Sequence, residues 1–502
     1  MGPDGTPANK NEPVTASTPA HLSTAASAHR LSTQAFSHTS LMHGWVPLTV
    51  QVVTGVVLLL AIGWRTRSWR LRWLPLAALA GGAAAFATRA YVSRISTEPA
   101  PDALWAWAGL AGSAVTVLLL GWRSAQWWRR GIALLSVPLC LLSTALTLNM
   151  WVGYFPTVQA AWGQLSSGPL PDQTDPATVA AMAGKGVRPA HGSVVPVVIP
   201  SDASHFKHRG ELVYLPPAWF ASAPPPRLPT VMMIGGQFNT PADWARAGNA
   251  VRTADTFAAA HDGNAPVLVF VDSGGAFNND TECVNGRRGN AADHLTKDVV
   301  PFMVSRFGSS SQQANWGIVG WSMGGTCAVD LTVMHPGMFS SFVDVAGDLY
   351  PNAGNKQETI SRLFGGNAEA FADFDPSTVI TRHGPYTGVA GWFAIPSHRE
   401  LPIADTPTMQ LAGRDAAINP SNQTAAANAL CALGRSYDID CAVVPQPGKH
   451  DWPFADQVFA TALPWLAGRL GTPGVPRIPL PGTASSPAPS GPSNAQVVAA
   501  GR

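Results

Sequence analysis

Hydrophobic and polar positions divide the chain into two parts with different patterns. Between residues 45 and 152, four long apolar segments alternate with short charged connections. After residue 193, short apolar runs alternate with longer segments of mixed character. The first pattern is typical of helices that cross a membrane, which need about 20 apolar residues each. The second is typical of a sheet whose strands are separated by helices.

The charges between the apolar segments predict how they are oriented in a membrane. The segments span residues 45–64, 73–92, 104–122 and 131–152. Seven arginines lie in the first and third connections: Arg65, Arg67, Arg70, Arg72, Arg123, Arg129 and Arg130. Positively charged loops remain in the cytoplasm. We therefore expect a multi-pass anchor in the cell membrane, with everything after residue 152 on the extracytoplasmic side.

The boundaries of the two patterns predict five regions. Residues 1–43 and 471–502 are rich in Ala, Ser, Pro and other small residues and are expected to be disordered. Residues 44–152 form the four-helix membrane anchor, and residues 153–192 form a polar linker dotted with Pro and Gly. Residues 193–470 form the folded domain outside the membrane.

Eight short runs in this domain are predicted as strands. Several are apolar without alternation, as expected for parallel strands that are buried on both faces. Helical patterns lie between them, for example at 244–260, 291–306 and 324–335. The fold class is therefore α/β, with a mostly parallel eight-stranded sheet and helices on both faces. The predicted strands are 194–199, 211–215, 230–234, 266–271, 315–319, 341–345, 408–411 and 441–444.

The motif G-W-S-M-G-G at residues 320–325 is the sharpest chemical signal in the chain. It follows a predicted strand and precedes a predicted helix, as a nucleophile elbow requires. A chance match is common in glycine-rich chains, but this context favours Ser322 as a nucleophile. The backbone N–H of Met323 would then stabilise an oxyanion at the helix N-terminus. A second donor is expected after strand 230–234, where Gln237 follows two glycines.

A serine nucleophile needs a base and an acid. His450 lies just after the last predicted strand, where an α/β-hydrolase places its base. The acid has two candidates, Asp415 after strand 408–411 and Asp348 after strand 341–345. We favour Asp415, and Asp348 would then line the substrate pocket.

With these residues placed, the domain resembles the antigen 85/esterase D family of α/β-hydrolases, which includes mycolyltransferases and carboxylesterases. The resemblance covers about residues 193–470. It rests on the elbow, the Gly-Gly loop at 235–236, Asp375-Pro376, and the ending His450-Asp451-Trp452 with the helix that follows. It implies the α/β-hydrolase fold, the roles of Ser322, His450, Asp415, Met323 and Gln237 given above, and a pocket that includes Gly236, Phe238, Trp321, Asp348 and Trp452.

The sequence departs from the mycolyltransferases in one loop. Those relatives carry an acidic residue and an arginine there to hold trehalose, whereas this chain has Gly235 and Phe238. We therefore expect weak or absent transfer to trehalose, although Trp452 could stack on a sugar ring and Asp348 could accept a hydroxyl.

Composition and cysteine usage limit the partners. Charged residues make up only 12% of the chain, against about 25% in soluble domains. The net charge of +2 gives no reason to expect nucleic acid. Cys140 lies in the fourth apolar segment, and the other cysteines favour the disulfides Cys431–Cys441 and Cys283–Cys327. The spacing of Cys and His predicts no metal, and no cofactor is expected.

The sequence therefore predicts a membrane-anchored serine esterase or acyltransferase of the cell envelope. Its substrate would be an acyl ester, lipid or glycolipid. Two alternatives stay open, namely mycolyltransferase-like transfer to a sugar or glycan, and a non-catalytic hydrolase-fold protein that binds the envelope.

Overall fold

Four long apolar helices precede the α/β domain. In this computed structural model, residues 39–63, 66–95, 100–123, 125–165, 170, 172–186, 188–397 and 422–482 are described. The apolar helices are α1 (Trp45–Ile62), α2 (Leu74–Ile95, after a π-helical turn at Trp69–Trp73), α3 (Asp102–Gly121) and α4 (Trp127–Val152). All four are long and apolar enough to cross a membrane, by length and composition. In each helix, only 11% to 33% of the most apolar stretch of 18 residues is buried inside the protein. Most of the apolar surface of these helices therefore faces outward.

Small and hydroxyl-bearing residues join these helices to one another. A side chain at Gly112 would lie 2.7 Å from Ala84 Cβ, so α2 and α3 approach closely there. Ser143 donates a hydrogen bond to Thr54 Oγ1 over 3.0 Å, which links α4 to α1. Small residues and buried hydroxyl groups are the usual means of packing apolar helices, since apolar burial offers little gain between lipid-facing surfaces.

The α/β domain is built on one eight-stranded sheet in the order β1-β2-β4-β3-β5-β6-β7-β8. Strand β2 is antiparallel to both of its neighbours, and the other pairings are parallel. The expected mostly parallel eight-stranded sheet is thus confirmed. The strands are β1 (Ser193–Val197), β2 (Glu211–Leu215), β3 (Thr230–Ile234), β4 (Val267–Val271), β5 (Trp316–Trp321), β6 (Ser341–Val345), β7 (Ala390–Ser397) and β8 (Asp440–Pro447).

Further helices follow α4, and several of them cover the two faces of this sheet. They are α5 (Val158–Leu165), α6 (Pro176–Lys185), α7 (Pro241–Arg246), α8 (Ala250–Ala260), α9 (Ala291–Asp293, a π-helical turn at His294–Val299, then Val300–Phe307), α10 (Met323–Met334), α11 (Lys356–Phe364), α12 (Ala368–Ala372), α13 (Pro376–His383), α14 (Gln423–Arg435) and α15 (Trp452–Arg469). Buried side chains of α8 and α15 pack on one face, and those of α9, α10 and α14 pack on the other. Side chains alternate between the faces along each strand: in β3, Val231 and Met233 join the first core, and Met232 and Ile234 join the second.

One strand of the structure was not predicted, and one predicted helix differs from the structure. Strand β7 lies in a segment for which no strand was predicted, and its glycine and proline weaken the β pattern. The predicted strand 408–411 lies outside the described residues. The predicted helix 244–260 is two helices, α7 and α8, which are separated at Gly248 and Asn249. Gly248 packs against the rings of Trp244 and Trp452, with no room for a side chain.

The ordered regions reach beyond the predicted boundaries. Before α1, Ser40 forms a β-bridge with Thr157, so the chain just before the first apolar helix runs beside the chain just after the fourth. The linker contains α5 and α6. At the other end, residues 471–482 continue along the domain, and Leu480 is buried in its core. The predicted disorder at 1–38 and 483–502 lies outside the described residues.

Candidate active site

Ser322 occupies a tight turn between β5 and α10. Its backbone has φ 56° and ψ −120°, a conformation that costs free energy for any residue with a side chain. A Cβ atom at Gly320 would overlap the carbonyl of Gly324, and one at Gly324 would overlap the carbonyl of Ile234. Both glycines are therefore required for the turn to close, which is the steric pattern of a nucleophile elbow.

His450 lies next to this serine. It follows β8, and its Nε2 is 3.0 Å from Ser322 Oγ. The indole of Trp321 lies against the imidazole, with 4.3 Å between the ring centroids. Burial lowers the pKa of His450 to about 4, so at neutral pH the imidazole is uncharged and can accept a proton. The structure therefore brings the two predicted residues to hydrogen-bonding distance.

The other ring nitrogen of His450 contacts a residue that the sequence analysis did not consider. Gln423 is the first residue of α14, and its side-chain amide lies 2.6 Å from His450 Nδ1. An amide can donate to this nitrogen, or accept from it once its oxygen is turned toward the ring. No motif in the sequence identifies Gln423, because only the fold brings the start of α14 beside the loop after β8.

The two predicted acids are in different situations. Asp415 lies outside the described residues, in the segment that joins the end of β7 to the start of α14. Asp348 follows β6, and it accepts a hydrogen bond from Asn352 over 2.7 Å. Its backbone N–H donates to Thr326 Oγ1 over 2.9 Å, which holds this loop against α10.

The loop after β3 approaches the serine. A Cβ atom at Gly236 would lie 3.1 Å from Ser322 Cβ, so a side chain there would crowd the serine. The backbone N–H of Gly236 donates to Asn239 Oδ1 over 2.8 Å. Gln237 is the next residue of this loop, and Met323 is the first residue of α10, where helix N–H groups lack intrahelical partners.

Arg209 holds this loop in position. Its guanidinium donates to both carboxylate oxygens of Asp272, over 3.0 and 2.6 Å, and to the carbonyl of Asn239 over 2.7 Å. Burial raises the pKa of Asp272, but the hydrogen bonds and charge of Arg209 outweigh this and lower it. No sequence motif signals this pair, since Arg209 and Asp272 are far apart in the chain.

The predicted pocket residues have different accessibilities. Phe238 has a left-handed backbone conformation, with φ 69°, and its ring lies 5.3 Å from that of Phe277. Trp321 and Trp452 are both buried. The prediction that Trp452 could stack on a sugar is wrong, because its side chain is only 1% exposed and packs between Trp244 and Trp321.

Two disulfides brace the surroundings of the site. Cys283 is joined to Cys327, which ties the loop after β4 to α10. Cys431 is joined to Cys441, which ties α14 to β8. These are the two pairings that the sequence analysis favoured. Cys140 is buried in α4 as a free thiol.

Within the described residues, His208, Glu211 and His294 form a group with ligand atoms close enough to share a metal ion. The two imidazoles are stacked, with centroids 4.2 Å apart and planes inclined by 24°, so their lone pairs do not converge on one point. His294 also lies 3.2 Å from both Glu211 and Asp298. Burial lowers the pKa of His294, but these carboxylates outweigh it and raise the pKa. The geometry is that of a charged hydrogen-bond network.

A family comparison matches most of this domain. Residues 207–431 match the model of a family described as putative esterase. The matched region contains Ser322, Asp415 and Arg209, and it ends before His450.

A relative from Corynebacterium glutamicum extends the similarity. This uncharacterized protein is 27% identical over 443 residues, which cover 85% of this chain and 96% of the relative. An alignment of 443 residues is longer than the part of the chain from residue 193 to residue 502. The similarity therefore extends into the segment that holds the apolar helices.

Solved structures of other proteins are similar to the α/β domain in fold. An S-formylglutathione hydrolase from Agrobacterium tumefaciens has 16% identity and a TM-score of 0.44, and covers 56% of this chain and 97% of that protein. MPT51 of Mycobacterium tuberculosis has 18% identity and a TM-score of 0.34, over 55% of this chain and 97% of that protein.

The family match and the elbow agree on the class of protein. The match contains the strand, turn and helix that carry Ser322, in agreement with the predicted resemblance to esterases. The α/β domain of this chain is therefore similar to the putative esterase family over residues 207–431.

Proposed function

We propose that this chain is a membrane-anchored serine esterase or acyltransferase of the cell envelope. Ser322 is its nucleophile, His450 its base and Asp415 its acid. One observation carries the proposal: His450 Nε2 lies 3.0 Å from the oxygen of a serine held in a strained elbow. Hydrolysis of a short-chain acyl ester by the purified chain, and its loss in Ser322→Ala, tests it.

In the first half of the reaction, Ser322 Oγ attacks the carbonyl carbon of the ester while His450 Nε2 takes its proton. The carbonyl oxygen becomes negatively charged. The backbone N–H groups of Met323 and Gln237 stabilise that charge. His450 then gives the proton to the departing alcohol, and the C–O bond of the ester breaks. The acyl group is left on Ser322.

In the second half, a water or an alcohol resolves the acyl-enzyme. His450 removes its proton as the oxygen attacks the acyl carbon, and then gives that proton to Ser322 Oγ as the bond between the acyl carbon and Ser322 breaks. Burial favours the neutral imidazole, which is the form required when His450 takes a proton from Ser322 or from the incoming water or alcohol. Asp415, supplied by the segment between β7 and α14, would hold the proton on Nδ1 so that Nε2 stays free to accept.

The four apolar helices would anchor the enzyme, with its α/β domain outside the cytoplasm. The arginines of the first and third connections, such as Arg67 and Arg129, support this orientation by the positive-inside rule. A reporter that is active only in the cytoplasm, fused after Leu470, is expected to stay silent. The same reporter fused in the first connection is the positive control. A strong signal from the fusion after Leu470 would reverse the orientation.

Water is expected to be the better acceptor than trehalose. Each buried sugar hydroxyl left without a partner costs about 1–3 kcal/mol, so a sugar site needs several fixed polar groups. The loop after β3 offers Gly235 and Phe238 there, and buried Trp452 offers no stacking surface. With an acyl donor supplied with and without trehalose, free acid should form faster than acyl-trehalose. Faster acyl-trehalose formation would favour the mycolyltransferase-like alternative.

A further inference from the structure

The end of the fourth apolar helix contacts the segment that carries His450. Gly153 is the first residue after α4. A Cβ atom there would lie 2.7 Å from Asp451 Cβ and 3.0 Å from Pro453 Cδ. Asp451 is the neighbour of His450 and caps α15 by accepting from Phe454 N–H over 3.1 Å. The end of the membrane-spanning candidate is therefore in direct contact with the segment next to the base of the active site.

The next residue reaches the opposite side of the active site. The hydroxyl of Tyr154 donates a hydrogen bond to Asp243. Asp243 also accepts from the N–H of Thr240 over 2.7 Å, and so closes the capping box of α7, which directly follows the loop at 235–239. Gly153 thus contacts the segment that holds the base, and Tyr154 contacts α7, the helix that follows the loop of the proposed oxyanion donor.

The start of the first apolar helix lies at the same place. Leu41 lies just before α1, and its N–H donates to the carbonyl of Pro156, just after α4, over 3.0 Å. Ser40 forms a β-bridge with Thr157 in the same place. The start of α1 and the end of α4 therefore lie side by side, where Gly153 contacts Asp451.

A pair of aromatic rings, one partly buried and one exposed, lies on the same edge of the sheet. Phe238 follows β3, two residues beyond Gly236, which contacts Ser322. Phe277 follows β4, packs against Phe238 and is 69% exposed. The carboxyl ends of β3, β4 and β5 meet at this edge, since those strands are parallel. Ser322, the two phenylalanines and the ends of α1 and α4 therefore share one edge of the domain.

From this juxtaposition we infer that the active site opens at the membrane surface and takes a long-chain acyl ester directly from the lipid layer. The aromatic pair Phe238–Phe277 contacts the lipid layer or the acyl chain beside the oxyanion loop. Moving an exposed aromatic ring out of water is favourable. In this orientation the membrane begins where α1 starts and α4 ends, so it is the apolar phase nearest to the ring. The inference rests on the proposed function, because it names the substrate class of the same site.

The test compares one ester presented in two ways to the full chain in lipid vesicles. A long-chain acyl ester is placed either in the same vesicles as the protein or in separate protein-free vesicles. A water-soluble short-chain ester measures the catalytic centre itself. We expect hydrolysis of the co-resident ester to exceed that of the separate ester by about tenfold or more. Equal rates would overturn the inference, since the substrate would then be taken from solution.

A pair of matched variants tests the aromatic contact. Phe277→Asp should lower the ratio of co-resident ester to soluble ester hydrolysis by about tenfold. Ile478→Asp is the control, because Ile478 is also exposed, at 41%, but follows the end of α15 on the opposite edge. An unchanged ratio in Phe277→Asp, or an equal fall in both variants, would contradict the role of the pair.

The results also separate this inference from the proposed function. If the soluble ester is hydrolysed and the two vesicle arrangements give equal rates, only the membrane-facing entry fails. If the soluble ester is not hydrolysed by the folded chain, the proposed function itself fails. Should Phe277→Asp fold poorly, the comparison of vesicle arrangements with the unaltered chain still decides.

Discussion

Replacement of Ser322 by alanine is expected to lower ester hydrolysis to near background, by about four to six orders of magnitude. His450→Ala should cause a loss of similar size, and the double variant should lose little more than either single one. The members of a catalytic triad act as a unit, so removing one disables the others. Initial rates with a short-chain chromogenic ester, measured for each variant, check this expectation.

Matched controls separate this effect from damage to the fold. Ser305 lies on an exposed part of α9, and His383 is exposed at the end of α13. Ser305→Ala and His383→Ala should retain hydrolysis within about twofold, as expected for surface substitutions. Melting temperatures of all variants should stay close to that of the parent chain. Activity retained in a folded Ser322→Ala protein would exclude the elbow as the source of catalysis.

Asp415→Asn is expected to lower hydrolysis by about four orders of magnitude, whereas Asp348→Asn should stay within about tenfold. An asparagine keeps the size of the acid but removes the charge that stabilises imidazolium and fixes the tautomer. Asp348 is already engaged by Asn352, so its loss would disturb the loop after β6 instead. If the two results are reversed, the acid belongs to Asp348.

The pH dependence of kcat/KM gives a second measure of the same assignment. Hydrolysis requires neutral His450 and so falls as pH falls through its pKa. A nearby carboxylate raises this pKa, whereas burial alone lowers it to about 4. Asp415→Asn should therefore move the acid limb of kcat/KM to lower pH. Gln423→Leu removes a neutral group, so it should change the rate without this displacement. If the acid limb moved in Gln423→Leu and not in Asp415→Asn, Gln423 and not Asp415 would be the partner of His450.

The local part of the site could be predicted from sequence because its determinants are adjacent in the chain. The elbow needs small residues two before and two after Ser322, and Gly320 and Gly324 meet that demand within five positions. The apolar runs at β3 and β5 are continuous because both faces of these strands are buried. His450 was found by its place after the last strand, a rule of chain order.

The remaining features depend on contacts between distant residues. The bond of Arg209 to Asp272 and the contact of Gln423 with His450 join segments that no spacing rule connects. Strand β7 escaped prediction because its glycine and proline resemble a loop. Trp452 was predicted to face a ligand, but three aromatic rings from different elements pack together there and exclude it from solvent.

The contact between the apolar helices and the α/β domain is of the same kind. The sequence predicted a linker of about forty residues between the two parts, but Gly153 and Tyr154 contact the domain directly after α4. Nothing in the composition of residues 153–192 signals this. The consequence for substrate entry follows only from the placement of those two residues beside the active site.

Labelling with a serine-directed fluorophosphonate tests the central claim most directly. The reagent modifies a serine only when a neighbouring base has activated it. We predict that one equivalent of label attaches to Ser322 of the folded chain, as located by peptide mass spectrometry, and that Ser322→Ala and His450→Ala both prevent the reaction. A folded chain that remains unlabelled, or that carries its label on another serine, would contradict the account.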